Sequence, residues 1–301
     1  MKRKCTESKL DLLIAAINEK KVIVKGRKPK VLCQMLEHIN DMIGMEGLKD
    51  FVCDIFYFYA ADLPCEQQFR NIAITGKPGC GKTEVSTRLA RLVQYLIFNC
   101  TKDVVMLGRS DLIGQVLGET AIKTTNALTQ NSNRCIFIDE VYSLGNNSPE
   151  KDIFSKECID TLCAYLSDNL DSCCMIIAGY ATATNDCFFG QNEGLRRRFP
   201  FTFELPLYTV DELVAIFKQK MHEFVVNGTD RLHDFFAESR RNNADYGAAE
   251  VVTFVNTLLL RHSESVCYGR SKRNVISVET VEGAITDGKR KPIVQWTGMY
   301  L

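Results

Sequence analysis

Gly76-Lys77-Pro78-Gly79-Cys80-Gly81-Lys82-Thr83 decides the reading of this chain. The spacing is GxxxxGKT. Before it, Asn71-Ile72-Ala73-Ile74-Thr75 reads as a short apolar strand. After it, Val85, Leu89, Leu92, Val93 and Leu96 recur at helical spacing over 82–98. A glycine-rich turn between a strand and a helix is where this pattern cradles phosphate. The glycines let backbone N–H groups turn inward around phosphate oxygens. The helix N-terminus adds partial positive charge. Lys82 is expected to reach the β- and γ-phosphates of a nucleotide, and the Thr83 hydroxyl to ligate Mg²⁺. A chance glycine-rich turn is the plain alternative.

The second signal is Cys135-Ile136-Phe137-Ile138-Asp139-Glu140, 57 residues after Lys82. An apolar run delivers an acid pair at a strand's C-terminal end, and in a parallel sheet that end also carries the phosphate loop. Asp139 is expected to hold Mg²⁺ through water. Glu140 is expected to orient and polarise the attacking water. An acidic helix start is the alternative. The third signal, Gly194-Leu195-Arg196-Arg197-Arg198-Phe199, sets three arginines before another strand, Phe201–Leu205. Arg198 is the first choice and Arg196 the second for an arginine that completes a neighbouring subunit's site. That role requires heterologous, ring-closing packing. A solvated basic turn is the competing reading.

Working outward, strands are expected at 103–107, 135–139, 174–178 and 201–205. Helices are expected at 48–60, 82–98, 120–130 and 151–168. Apolar strands alternating with amphipathic helices predict an α/β parallel sheet covered on both faces. After Pro206 the pattern is helical only, starting at a Thr209/Glu212 capping box. Leu213, Ile216, Phe217, Met221 and Phe224 line the first helical face there. Residues 1–42 read as a helical approach, with Ser8 and Asp11 as a capping pair, and Lys20–Lys30 reads as a solvated basic linker.

Composition narrows the classes. Hydrophobic residues are 46% of 301, enough for a real core, so wholesale disorder is excluded. Lys plus Arg and Asp plus Glu are 37 each, which argues against a general nucleic-acid coat. No apolar run reaches membrane-spanning length, and the periodic Leu10–Ile17 segment argues against a signal peptide. The 13 cysteines sit largely in apolar runs without CxxC spacing. They are expected to be buried thiols in a reducing, cytoplasmic compartment rather than disulfides or a zinc site built on Cys158, Cys163, Cys173 or Cys174.

Taken together the motifs resemble an AAA+ ATPase. RSDLIGQVLGETAIKTT (109–125), CIFIDEVYSL (135–144), IIAGY (176–180), NEGLRRRF (192–199) and the lead-in LEHINDMIGMEGLKDFV (36–52) look like the CbbX/SpoVK branch. That branch includes red-type Rubisco activases and a bacterial sporulation protein. The resemblance covers about residues 36–286. It implies a P-loop NTPase fold, with a five-stranded parallel sheet sandwiched by helices and a small all-helical lid. The domains would be an extension over 1–35, the nucleotide domain over 36–206, the lid over 207–290 and a tail over 291–301. It implies ATP and Mg²⁺ as cofactors and a hexameric ring, or a mixed ring with a paralogue, that remodels a protein engaged by the 112–118 loop.

By resemblance, Gly76, Lys77, Pro78, Gly79, Cys80, Gly81, Lys82 and Thr83 form Walker A, with Asp139 and Glu140 as Walker B. Ile43 and Gly44 would lie beside the adenine. Tyr180 falls near the sensor-1 position, and Arg196 and Arg198 fall in the arginine-finger region. Two departures stand out. The substrate loop, aromatic-aliphatic-Gly in the family, reads Val116-Leu117-Gly118, which is still apolar. In the lid, Glu250 of Tyr246-Gly247-Ala248-Ala249-Glu250 stands where a phosphate-sensing arginine is expected. Repulsion from phosphate predicts that Glu250 turns away or pairs with Arg240 or Arg241. Two rival functions remain open on sequence: a nucleic-acid-directed accessory ATPase, suggested by Lys20–Lys30, Arg270–Arg273 and Lys289–Lys291, and a nucleotide-switched scaffold with weak hydrolysis.

Overall fold

The computed structural model describes residues 8–61, 70–116, 118–145, 152–243 and 245–289. The chain divides into two compact units: Met1–Lys77 with Gly81–Pro206, and Pro78–Cys80 with Leu207–Leu301.

The first unit opens with α1 (Lys9–Asn18), whose N-terminus is closed by a Ser8/Asp11 capping box and whose Leu10, Leu13 and Ile17 are buried. Then come α2 (Pro29–Asn40), begun by a proline that has no N–H to lose there, and α3 (Glu46–Ala60). In the basic stretch between α1 and α2 the lysines are exposed, as expected of a solvated linker, but Arg27 is not. Arg27 Nε donates to the Tyr95 carbonyl at 2.7 Å, and Nη2 donates to Leu96 and Ile97 at 2.8 and 3.1 Å. The Lys28 N–H donates to the Tyr95 hydroxyl at 2.8 Å. These carbonyls lie in the last turn of a helix, where intrahelical donors run out and a cation is favourable.

The sheet elements follow. They are β1 (Ile72–Gly76), α4 (Lys82–Phe98), β2 (Val105–Met106), α5 (Arg109–Leu112), α6 (Glu119–Gln130), β3 (Arg134–Ile138), α7 (Ile153–Asp168), β4 (Cys173–Gly179), α8 (Ala181–Ala183), α9 (Glu193–Arg198) and β5 (Phe201–Leu205). The strands run in the order β2-β3-β4-β1-β5, and every pairing is parallel. β1 and β4 are buried along their whole length, consistent with helices on both faces. One core cluster packs Ile136, Ile138, Met175 and Ile177 against Ile159 and Leu162 of α7. Register places Thr75 beside Gly179 and Ile138 beside Ile177. The C-terminal ends of β1, β3 and β4 therefore emerge on one edge, and everything chemical in this unit follows from that edge.

The second unit is mainly helical: α10 (Val210–Lys220), α11 (Leu232–Asn242), α12 (Ala248–Cys267) and α13 (Val278–Lys289). Phe217, Phe235, Phe236 and Phe254 form its aromatic core, with ring centroids 4.9 to 6.4 Å apart. It is not entirely helical. β6 (Val225–Val226) pairs in parallel with β7 (Val275–Ile276). α10 stops at Lys220, so Phe224 is not on its face but packs edge-on against His262. The β-branched residues that follow favour an extended pairing over another helical turn. The expected tail at 291–301 lies outside the described residues. Among the described residues no helix is long and apolar enough to cross a membrane.

Candidate nucleotide site

The loop after β1 takes backbone angles that only glycine adopts cheaply: φ is +71° at Gly79 and +88° at Gly81. Lys82 begins α4 and is 7% exposed. Its ammonium donates to the carbonyls of Gly76 (3.1 Å) and Lys77 (2.9 Å) and lies 4.4 Å from the Tyr180 ring centroid. Among the described residues its ammonium takes part in no ion pair. A buried ammonium held only by carbonyls and a ring face is poised to meet an anion.

Next to it, Thr83 Oγ1 donates to Asp139 Oδ2 at 2.6 Å, across the space between the start of α4 and the end of β3. Asp139 Oδ1 accepts the Glu140 N–H at 2.9 Å. Glu140 itself sits in the left-handed region at φ +50°, a conformation that costs a non-glycine residue about 1 kcal/mol or more. It leads into a 3₁₀ turn, Val141–Leu144. Glu140 Oε2 is buried with no hydrogen-bond partner. Burial, then the neighbouring Asp139 charge, pushes the Glu140 pKa up, while Lys82 opposes the rise. These residues fit a magnesium nucleotide: a hydroxyl and a carboxylate oxygen side by side for a hard cation, a cation and a glycine turn for phosphate, and an unengaged carboxylate for water.

Tyr180 directly follows β4, and its ring stacks on Tyr142 with 5.3 Å between centroids and 22° between planes. Tyr142 was missed by the sequence reading. Its only signal was an aromatic two residues after the acid pair. Gly179 cannot be larger, because a Cβ there would lie 2.4 Å from Thr184 Oγ1 and 3.2 Å from the Tyr142 ring. Ile43 and Gly44 lie in the turn between α2 and α3, with Gly44 at φ +66° and Met45 at +59°.

The three arginines diverge. Arg196 is exposed, with Nη2 on Asn185 Oδ1 (3.1 Å) and its guanidinium 5.1 Å from the Phe189 ring centroid. Arg197 is exposed. Arg198 is half-buried and held within its own chain: Nε and Nη2 donate to Ser167 Oγ at 3.0 and 2.7 Å, and Nη1 donates to the Gly194 carbonyl at 3.0 Å. Phe189, Gly190 and Glu193 join all three arginines around an open cavity of about 720 Å³.

Within the 112–118 loop, Gln115 and Val116 are held by hydrogen bonds. Glu119 Oε2 accepts the N–H of Gln115 (2.7 Å) and Val116 (3.4 Å), and these bonds hold its pKa down. Val116 is 63% exposed at the tip. Leu117 lies outside the described residues. In the second unit, among the described residues, Glu250 makes no ion pair with Arg240 or Arg241. It caps the start of α12, its Oε2 accepting the Gly247 N–H at 2.7 Å. An acid in the first turn of a helix can accept from the N-cap N–H and complements the dipole, so Glu250 is satisfied without an arginine.

The fold and this edge define a P-loop nucleoside triphosphatase. The family of ATPases associated with various cellular activities (AAA) matches residues 72–207. Protein CbxX of Cupriavidus necator (chromosomal form) is 31% identical over 233 residues, covering 74% of this chain and 71% of that protein. Stage V sporulation protein K of Bacillus subtilis is 32% identical over 203 residues, covering 65% and 62%. This chain belongs to the AAA+ ATPases, in the CbbX/SpoVK-like branch. RuvB of Thermotoga maritima shares the fold, with a TM-score of 0.56 at 17% identity over 82% of this chain and 71% of that one. The chain spans about six-tenths of the length of the first curated relatives it matches, 59% and 62%.

Proposed function

We propose that this protein hydrolyses ATP with Mg²⁺ in a ring of subunits and uses the cycle to remodel a protein partner. The observation that carries the reading is the site edge itself: a buried Lys82, the Thr83–Asp139 oxygen pair and an unpartnered Glu140 carboxylate within one glycine-loop site. Gly76–Thr83 would wrap the phosphates, and Ile43 and Gly44 would take the adenine. Lys82 would leave its two carbonyls for the β- and γ-phosphate oxygens. Thr83 and Asp139 would hold Mg²⁺, which when bound supplies charge neutralisation at those oxygens. Glu140 would accept a hydrogen bond from the attacking water and draw off its proton. Tyr180 would meet the γ-phosphate from the end of β4.

A neighbour's arginine would complete the site, neutralising charge that develops on transfer. Within 196–198, exposure favours Arg196 and Arg197 for that reach, while Arg198 holds the segment in place through Ser167 and Gly194. The apolar, exposed Val116 tip suits a polypeptide better than a phosphate backbone, which calls for cations. The buried cysteines carry raised thiol pKa values, pushed up to about 11 at Cys158 and about 12 at Cys173 by burial, which suits a reducing intracellular setting.

The test is steady-state ATP hydrolysis across protein concentration. Turnover per subunit should rise steeply as subunits assemble. ATP binding with no turnover at any concentration, with or without Mg²⁺, would overturn the hydrolytic reading.

A further inference from the structure

The 3₁₀ turn after Glu140 is tied on two sides. On one side the Tyr142 ring stacks on Tyr180, and Tyr180 carries the Lys82 ammonium on its other contacts at 4.4 Å. On the other side the Ser143 carbonyl accepts from Arg109 Nη1 at 2.7 Å. The same guanidinium donates to Ser155 Oγ at 2.9 Å and to Asp152 Oδ2 at 2.7 Å. Ser155 Oγ donates back to Asp152 Oδ2 at 2.6 Å, so the acceptor side is itself fixed at the start of α7.

Arg109 opens α5, and α5 leads directly into the 112–118 loop. That loop is fastened to α6. Thr124 Oγ1 donates to the Leu112 carbonyl at 2.8 Å. Lys123 Nζ donates to Ser110 and Ile113 carbonyls at 2.6 and 3.0 Å, and Glu119 holds the loop N–H groups. Among the described residues, α5, the loop as far as Val116 and the head of α6 therefore form one bonded piece, joined to the turn after Glu140 by the Arg109 guanidinium.

Lys82 rests on the Gly76 and Lys77 carbonyls and on the Tyr180 ring. An anion at the glycine loop would compete with both for the ammonium, and a contact that an anion can break is the kind of two-state element that coupling between sites requires. We propose that Arg109 is a positioning residue that carries nucleotide occupancy from the Tyr142–Tyr180 stack to the 112–118 loop. This rests on the reading of the site as an ATP site. Arginine suits the task because its planar fork serves three acceptors at once, which a lysine point charge cannot.

Hydrogen–deuterium exchange of the full chain tests it, in an E140Q background that holds ATP. Adding Mg²⁺ and ATP should change exchange across 109–118 by at least about fivefold, the lower end of ordinary coupling. In R109A/E140Q that response should vanish while affinity for a fluorescent ATP analogue stays unchanged, and R109K/E140Q should not restore it. If R109A does not fold, Y142L/E140Q cuts the same chain from the other side and should lose the response too. A merely structural Arg109 would raise exchange equally with and without ATP and leave the response in place, which would overturn the proposal. ATP bound with no response in the E140Q parent would overturn it as well, leaving the ATP site standing. No ATP binding by the E140Q parent would overturn both.

Discussion

The Thr83 hydroxyl and the Asp139 carboxylate, 56 residues apart in the chain, meet at 2.6 Å. Thr83 lies in the first turn of α4 and Asp139 directly follows β3, and on the proposed reading their oxygens mark where a hard cation would sit. Thr83→Ala should therefore weaken Mg²⁺-dependent ATP binding by about 10- to 100-fold, the range for losing a group that holds or orients a metal. Calorimetric titration with Mg²⁺ and with chelator checks it. The affinity difference between the two conditions should shrink in the variant.

If Glu140 takes the proton of the attacking water as proposed, it sets the pH dependence of turnover. Its carboxyl is pushed above the ordinary carboxylate range by burial and by Asp139, so turnover should fall on the acid side at a pH above the usual Glu value of about 4.3. The stability consequence has the opposite direction. The folded chain binds this proton more tightly than the unfolded chain, so stability falls as pH rises from the unfolded to the folded pKa. Glu140→Gln should remove that decline and slow hydrolysis at least about 10²-fold while ATP still binds. Thermal melts across the acid range and a turnover assay read the two effects separately.

The arginines should separate by readout. Arg196→Ala and Arg197→Ala leave the Ser167 and Gly194 contacts intact. At least one of them should cost about 10³-fold in turnover with ATP affinity and melting temperature unchanged. Arg198→Ala loses three hydrogen bonds inside its own subunit and should lower the melting temperature. Mixing an Arg variant with E140Q subunits should recover activity where one variant's intact arginine faces the other's intact glutamate.

Arg27→Ala should destabilise the first unit by about 1–3 kcal/mol, because three carbonyls at the end of α4 lose a charged donor. Chemical denaturation should show a lower midpoint with an unchanged slope. An unchanged midpoint would mean that water serves these carbonyls equally well.

Much of this molecule was legible in its sequence because the deciding signals are local. The glycine spacing of 76–83, the apolar run ending in Asp139 and Glu140, and the helical periods around them each depend on a few consecutive residues. The parallel sheet follows from those signals in order, and the AAA+ class from their resemblance to that family. Tertiary structure decided what depends on distant partners. Strand order and register set Tyr180 over Lys82 and Tyr142 behind Tyr180. Folding turned Arg27 from a linker charge into a helix cap and tied Arg198 inside its own chain. Glu250 chose an N–H three residues away over Arg240 or Arg241, because a helix start offers an unsatisfied donor wherever it forms. A single side chain in a sequence carries its charge and its reach. Which partner it takes is settled only when folding brings competing donors and acceptors within about 3 Å of one another.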